Sequence, residues 1–178
     1  ALRMQKENPK VFIPEQFSNP NNPMVHKYYT ALEILEQVAG PIDGFCSGIG
    51  TGGTLSGIGE TLKALNPHIE IWAVEPENAA ILSGGAIGTH LQMGIGDGLI
   101  PDNLNQDIYD DLYLVTDEEA IQTAKDLARL EGLMCGISSG TNVAAALKLA
   151  KKLGPGKTVV TILPDTAERY FSTPLFQE

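Results

Sequence analysis

The chain has 178 residues, 19% of them charged, and a formal net charge of −10. Phosphate polymers and anionic lipid surfaces call for a basic face, so this acidic chain is set against nucleic acid and membrane as partners. Its length predicts one domain over 1–178, and a hydrophobic content of 43% suits a buried core.

No apolar run approaches the ~18 residues of a membrane span, and no signal peptide is visible. Cys46 and Cys135 are far apart and sit in apolar runs. They read as packing residues in a reducing, cytoplasmic setting, and no metal spacing exists.

In chain order, Ala1 to Asn8 reads as the end of a helix halted by Pro9, so the domain looks cut from something longer. Val11 to Phe17 is predicted as a short strand, with a dense turn signal from Ser18 to Pro23. Met24, Val25, Tyr28, Tyr29, Leu32, Leu35 and Val38 form a near-helical apolar stripe, stopped by Gly40-Pro41. Ile42–Cys46 is a buried strand, Gly48–Gly53 a glycine loop, Leu55–Leu65 a helix and Ile69–Val74 a strand. Residues 79–107 are a glycine-rich stretch too long for a bland connection, and long ordered loops often border sites. After the strand Leu112–Val115, Thr116 with Glu119 three residues on reads as a helix start. Leu133 to Ile137 is short and apolar. Ser138-Ser139-Gly140 leads into an Ala-rich helix over Val143–Leu153, and Thr158–Leu163 is the last strand. Strands alternating with helices predict an α/β fold: a mostly parallel sheet with helices on both faces, in three layers.

The most informative segment is Ser47-Gly48-Ile49-Gly50-Thr51-Gly52-Gly53-Thr54, between a strand and a helix. Glycines let backbone approach a ligand, and a helix start leaves N–H groups unpaired at a positive dipole end. Together they make an anion site without a formal cation. Three readings stand: a turn with glycines for packing, a dinucleotide site, and a grip on a single phosphate group. For the second, Gly48, Gly50 and Gly53 fit the G-x-G-x-x-G spacing, with Glu75 placed to bind a ribose in a NAD-binding oxidoreductase. Gly136-x-Ser138-x-Gly140 also fits the nucleophile elbow of hydrolases, but His26, His68 and His90 all precede Ser138, where a triad histidine has to follow.

A resemblance decides among these. Gly50-Thr51-Gly52-Gly53-Thr54 is similar to the phosphate-binding loop of the cysteine synthase (O-acetylserine sulfhydrylase) family. The segments Gln16 to Pro23, Gly94 to Pro101, Gly136 to Gly140 and Leu163 to Thr173 resemble that family too, in the same order. The resemblance implies pyridoxal 5'-phosphate as cofactor and the large domain of the tryptophan synthase β-like fold, incomplete at its N-terminus. It implies that Gly50, Thr51, Gly52, Gly53 and Thr54 hold the phosphate and that Ser138 meets the pyridine nitrogen. A neutral hydroxyl there leaves the ring a weaker electron sink than a carboxylate does, favouring β-elimination and β-replacement over transamination. Ser139 is expected to cap the following helix. Gly94, Ile95 and Gly96 would line the substrate cleft, Glu75 becomes an ordinary strand-end residue, and His90 beside them reads as a surface residue. The reaction implied joins O-acetyl-L-serine and sulfide into L-cysteine and acetate, with cystathionine β-synthase activity as the neighbouring alternative. A homodimer and serine acetyltransferase as partner are implied by the same likeness. The family's cofactor-bonding lysine lies in a Ser-x-Lys context ahead of the matched segments. That motif is absent, no catalytic residue is assigned in this chain, and the chain alone is expected to be inactive.

Overall fold

In the computed structural model, which describes residues 1–177, the four apolar runs form one parallel sheet. β1 (Gly44–Gly48), β2 (Glu70–Pro76), β3 (Asp111–Val115) and β4 (Val159–Thr161) lie in the order β3-β2-β1-β4. Phe45 pairs with Ile71 on one side and Val160 on the other; Cys46 pairs with Trp72 and Thr161. Side chains alternate across a pleated strand, so each strand feeds two cores. Phe45, Ile71 and Ala73 pack against α3 (Ala31–Gln37) and α4 (Gly53–Leu65) on one face. Cys46, Trp72, Val74 and Val115 pack on the other against α5 (Asp117–Asp126) and α6 (Ile137–Leu153). The three-layer α/β arrangement read from the sequence is the one that forms.

Both cysteines are buried and free, as their apolar surroundings suggest. Burial pushes the Cys46 thiol up to about 12, so it is inert packing rather than a nucleophile. Thr116 caps α5 as expected, its hydroxyl accepting from the Glu119 N–H at 3.1 Å. Thr116→Ala should lower stability by about 1 kcal/mol, read as a shift in the urea midpoint at constant slope.

Three local expectations are corrected. Residues 11–17 form no strand, because side-chain amides take the carbonyls a ladder would need: Asn19 Nδ2 donates to Pro14 O, and Asn22 and Asn103 Nδ2 both donate to Gln16 O. The Met24–Val38 helix begins earlier, as α2 (Asn21–Val25), and passes through a π-helical turn at His26–Thr30 before α3. A π turn inserts a residue and rotates the buried face. Tyr28, Tyr29 and Leu32 are therefore more than half exposed, while Ala31 is buried. Finally, α6 starts at Ile137 rather than Val143, with Gly136 as N-cap. Ser138 and Ser139 lie inside its first turn, so Ser139 is not the cap; its hydroxyl is buried without a partner among the described residues.

Candidate cofactor-binding cleft

Sequence order reverses beside β1: β2 and β3 follow on one side, β4 on the other. In an open parallel sheet, ligands bind beyond the carboxyl ends of the strands at such a switch point. A cleft of about 300 Å³ opens there, with the end of β1 on one wall and Ile162 and Pro164 after β4 on the other. The volume lies at the small end of known ligand sites.

Gly50, Thr51, Gly52 and Thr54 line this cleft, as do Gly94 and Ile95 from the distant glycine-rich stretch. Gly52 is the N-cap of α4 with φ +80, and no side chain caps the helix. The N–H groups of Thr51, Gly52, Gly53 and Thr54 donate to nothing among the described residues. They therefore form an array of free donors at the positive end of a 13-residue helix. Gly53 lies behind the lining, where the Asn22 side chain occupies the space a Cβ would take. Asn22 also donates from Nδ2 to Thr51 Oγ1 at 2.8 Å, which leaves the Thr51 hydroxyl proton free to point elsewhere.

Ser138 does not line the cleft directly. It is 3% exposed and sits in the first turn of α6. Asn142, which does line the cleft, sits one helical turn further along the same face of α6. Gly96 also lies behind the lining, against Pro76 and His90.

Four residues that sequence reasoning did not select organise this site. Asn142 accepts from Gly48 N at 2.7 Å and donates to Ile162 O at 2.7 Å, joining the root of the glycine loop, α6 and the end of β4. Asn22 supports Thr51 as described. His26 contacts Thr54 Oγ1 at 3.4 Å through Nε2 and Thr30 Oγ1 at 3.0 Å through Nδ1. Burial pushes the His26 imidazole below its ordinary value, so it is neutral at pH 7. No lysine or arginine lines the cleft either, so anion binding falls to backbone N–H groups and hydroxyls. His90 is no loose surface residue. Its Nδ1 accepts from Gln92 N at 3.1 Å and its Nε2 faces Gly96 O at 3.2 Å, a pairing that places the proton on Nε2.

The dinucleotide reading fails on geometry. Glu75 is 4% exposed and its carboxylate is already taken by Leu82 N at 2.8 Å, Ser83 N at 3.2 Å and Ser83 Oγ at 2.9 Å. It ties down the start of the long loop and is not free to bind a ribose.

A parallel α/β sheet with an uncapped glycine loop at its switch point defines a class of proteins that hold a phosphorylated ligand by backbone donors. Residues 1–165 match the family model for pyridoxal-phosphate dependent enzymes, and the chain belongs to that family. It is 51% identical to a cysteine synthase of Staphylococcus aureus over 172 residues, covering 96% of this chain and 56% of that protein. The crystal structure of a cysteine synthase from Entamoeba histolytica superposes with a TM-score of 0.92 at 42% identity, covering 99% of this chain and 53% of the other. An O-acetylserine dependent cystathionine β-synthase from Helicobacter pylori gives a TM-score of 0.93 at 38% identity, over 98% of this chain and 57% of its own. The chain thus spans about half the length of the curated relatives it matches.

Proposed function

We propose that this chain supplies the cofactor-anchoring part of a pyridoxal-phosphate-dependent cysteine synthase, which makes L-cysteine and acetate from O-acetyl-L-serine and sulfide by β-replacement. The observation that carries the reading is the free donor array at Thr51–Thr54, facing the Gly94–Ile95 loop across one cleft. The family's dependence on pyridoxal phosphate and the 51% identity to a cysteine synthase support it.

The residues present fit that cofactor. Gly50 to Thr54 would take the phosphate, whose charge the α4 dipole favours. Ser138 would take the ring nitrogen with its hydroxyl, presented from the first turn of α6 one helical turn before the cleft-lining Asn142. When bound, the cofactor supplies the electron sink for breaking bonds at the amino acid's α- and β-carbons. The chain's own part is to bind, orient and exclude water. Asn142 and Asn22 hold the phosphate loop in shape, and the Gly94–Gly96 loop closes the side where the amino acid enters. Lys27 pairs with Glu60 and Lys63 with Asp110, and no lysine lines the cleft. In this proposal the amine that bonds the cofactor comes from sequence outside this chain. The active protein is a cytoplasmic homodimer, with serine acetyltransferase as a partner.

The test uses the full-length protein, assayed for cysteine formation from O-acetylserine and sulfide. Turnover with sulfide and yellow absorbance from bound cofactor are expected. Turnover with homocysteine but not sulfide would overturn the substrate assignment. Ser138→Ala should reduce kcat/KM by up to about tenfold, the loss expected for one neutral hydrogen bond, while cofactor stays bound. Unchanged kcat/KM would remove Ser138 from the ring contact.

A further inference from the structure

We infer that Gln92 is a positioning residue for the amino-acid substrate, clamping the Gly94–Gly98 loop to the helix that carries Ser138. The inference rests on the proposed reading of the cleft but concerns residues outside its lining.

Gln92 is fully buried. Its Nε2 donates to Val115 O at the end of β3 and to Asp117 Oδ1 at the start of α5, both at 2.9 Å. Its Oε1 accepts from Thr141 Oγ1 at 2.8 Å. Asp117 closes the knot by accepting from Leu91 N at 2.9 Å through its other oxygen. One side-chain amide thus joins three secondary-structure elements to the residue two before Gly94.

The placement at each end gives the clamp its meaning. Thr141 is three residues after Ser138 in the first turns of α6, so the two move as one body. Gly94, Gly96 and Gly98 have φ values of +91, +70 and +78, so the loop's own backbone preferences hold it weakly. Nothing lies within 4 Å of where a Gly94 Cβ would sit, while the next residue, Ile95, is buried and packs at Gly48. Besides that apolar anchor, three hydrogen-bonded ties hold the loop: Gly96 N to Ile49 O at 2.9 Å, His90 to Gly96 O, and the Gln92 knot at its root. Among these, the Gln92–Thr141 bond is the one that sets the loop relative to α6.

Asn142, the neighbour of Thr141, provides the contrast. It reaches the other way, to Gly48 at the root of the phosphate loop. Consecutive residues of one helix thus serve two loops. Thr141 acts through Gln92 on the substrate loop; Asn142 acts on the phosphate loop.

The experiment compares the full-length protein with Gln92→Leu, Thr141→Val and Asn142→Leu. Thr141→Val is the sharper probe, because it leaves the Gln92 bonds to Val115 and Asp117 in place. Amide hydrogen exchange is read over residues 93–98 and 50–54, beside the dissociation constant for pyridoxal phosphate and the KM and kcat for O-acetylserine. For Gln92→Leu and Thr141→Val, exchange over 93–98 should quicken about tenfold and KM should rise about tenfold, the order expected for losing one buried hydrogen bond. Cofactor dissociation constant and exchange over 50–54 should stay within about twofold. Asn142→Leu should give the reverse pattern. Unchanged exchange over 93–98 in both clamp variants, or loosening of both loops together, would overturn the proposal. If the unaltered full-length protein turns over no O-acetylserine, the cysteine synthase reading falls, and the exchange pattern still decides whether Gln92 clamps the loop.

Discussion

Replacing Gly50 with valine is expected to raise the dissociation constant for pyridoxal phosphate by at least about a hundredfold, or ~2.8 kcal/mol. A Cβ at Gly50 would sit inside the van der Waals shell of the Gly94 carbonyl oxygen. Both sides of that contact are backbone, so no side-chain rotation relieves it. The phosphate loop and the substrate loop would have to separate, and the N–H groups of Thr51 to Thr54 would lose their common aim. Gly52 is constrained in a second way. Its φ of +80 disfavours any side chain, and a Cβ there would meet Leu104 at 2.8–2.9 Å. Gly94 provides a control from the opposite side, because a Cβ there meets nothing within 4 Å. Gly94→Ala carries only the strain of its φ of +91 and should weaken binding far less than Gly50→Val. Fluorescence titration of each variant with pyridoxal phosphate makes the comparison. Equal affinity for Gly50→Val and the unaltered protein would remove the Gly50–Thr54 loop from the phosphate site.

How much of this was legible beforehand follows from the range of the interactions involved. The glycine loop is legible locally, as glycines between an apolar strand and an amphipathic helix, and its Gly50, Thr51, Gly52 and Thr54 reach the cleft as a unit. The sheet was equally plain, because period and composition are properties of short windows. Asn142 carries no such signal. It works on Gly48, 94 residues away, and only the fold brings them together. Asn22 sat inside what reads as a turn, and the same asparagine-rich run consumed the carbonyls that would have made residues 11–17 a strand. The inserted π residue at His26–Thr30 breaks the 3.6-residue count, so Leu35 and Val38 of the apolar stripe pack on the core while Tyr28, Tyr29 and Leu32 are exposed. That insertion lies at His26, the residue that reaches Thr54 in the cleft. The departure from regular periodicity falls at the site, in keeping with the occurrence of π turns at functional positions.

The second large effect is expected far from the phosphate. Gly140→Ala should cost about 1–3 kcal/mol of stability, the usual range for overpacking. A Cβ at Gly140 would clash with the Ala120 carbonyl oxygen and come within 2.8 Å of Ala124 N, both backbone atoms of α5. These two helices approach closely because small residues meet between them: Ala120 and Ala124 are buried on α5, Gly140 and Ala144 on α6. The added methyl therefore cannot be absorbed by a rotamer change, and α6 has to move. Ser138, Thr141 and Asn142 all stand within two residues of Gly140, so the proposed ring contact and the proposed clamps on the two loops would shift together. A displacement of about 1 Å at reacting groups can cost about a hundredfold in rate, so the loss of kcat/KM should exceed what the stability change alone explains. Lys151→Ala, on the exposed part of the same helix, should leave both within error. The discriminating measurement is urea unfolding beside steady-state kinetics at a denaturant-free temperature where both variants are fully folded. A destabilised Gly140→Ala protein with normal kcat/KM would show that α6 tolerates displacement, and that Ser138 and its two neighbours do not position the chemistry.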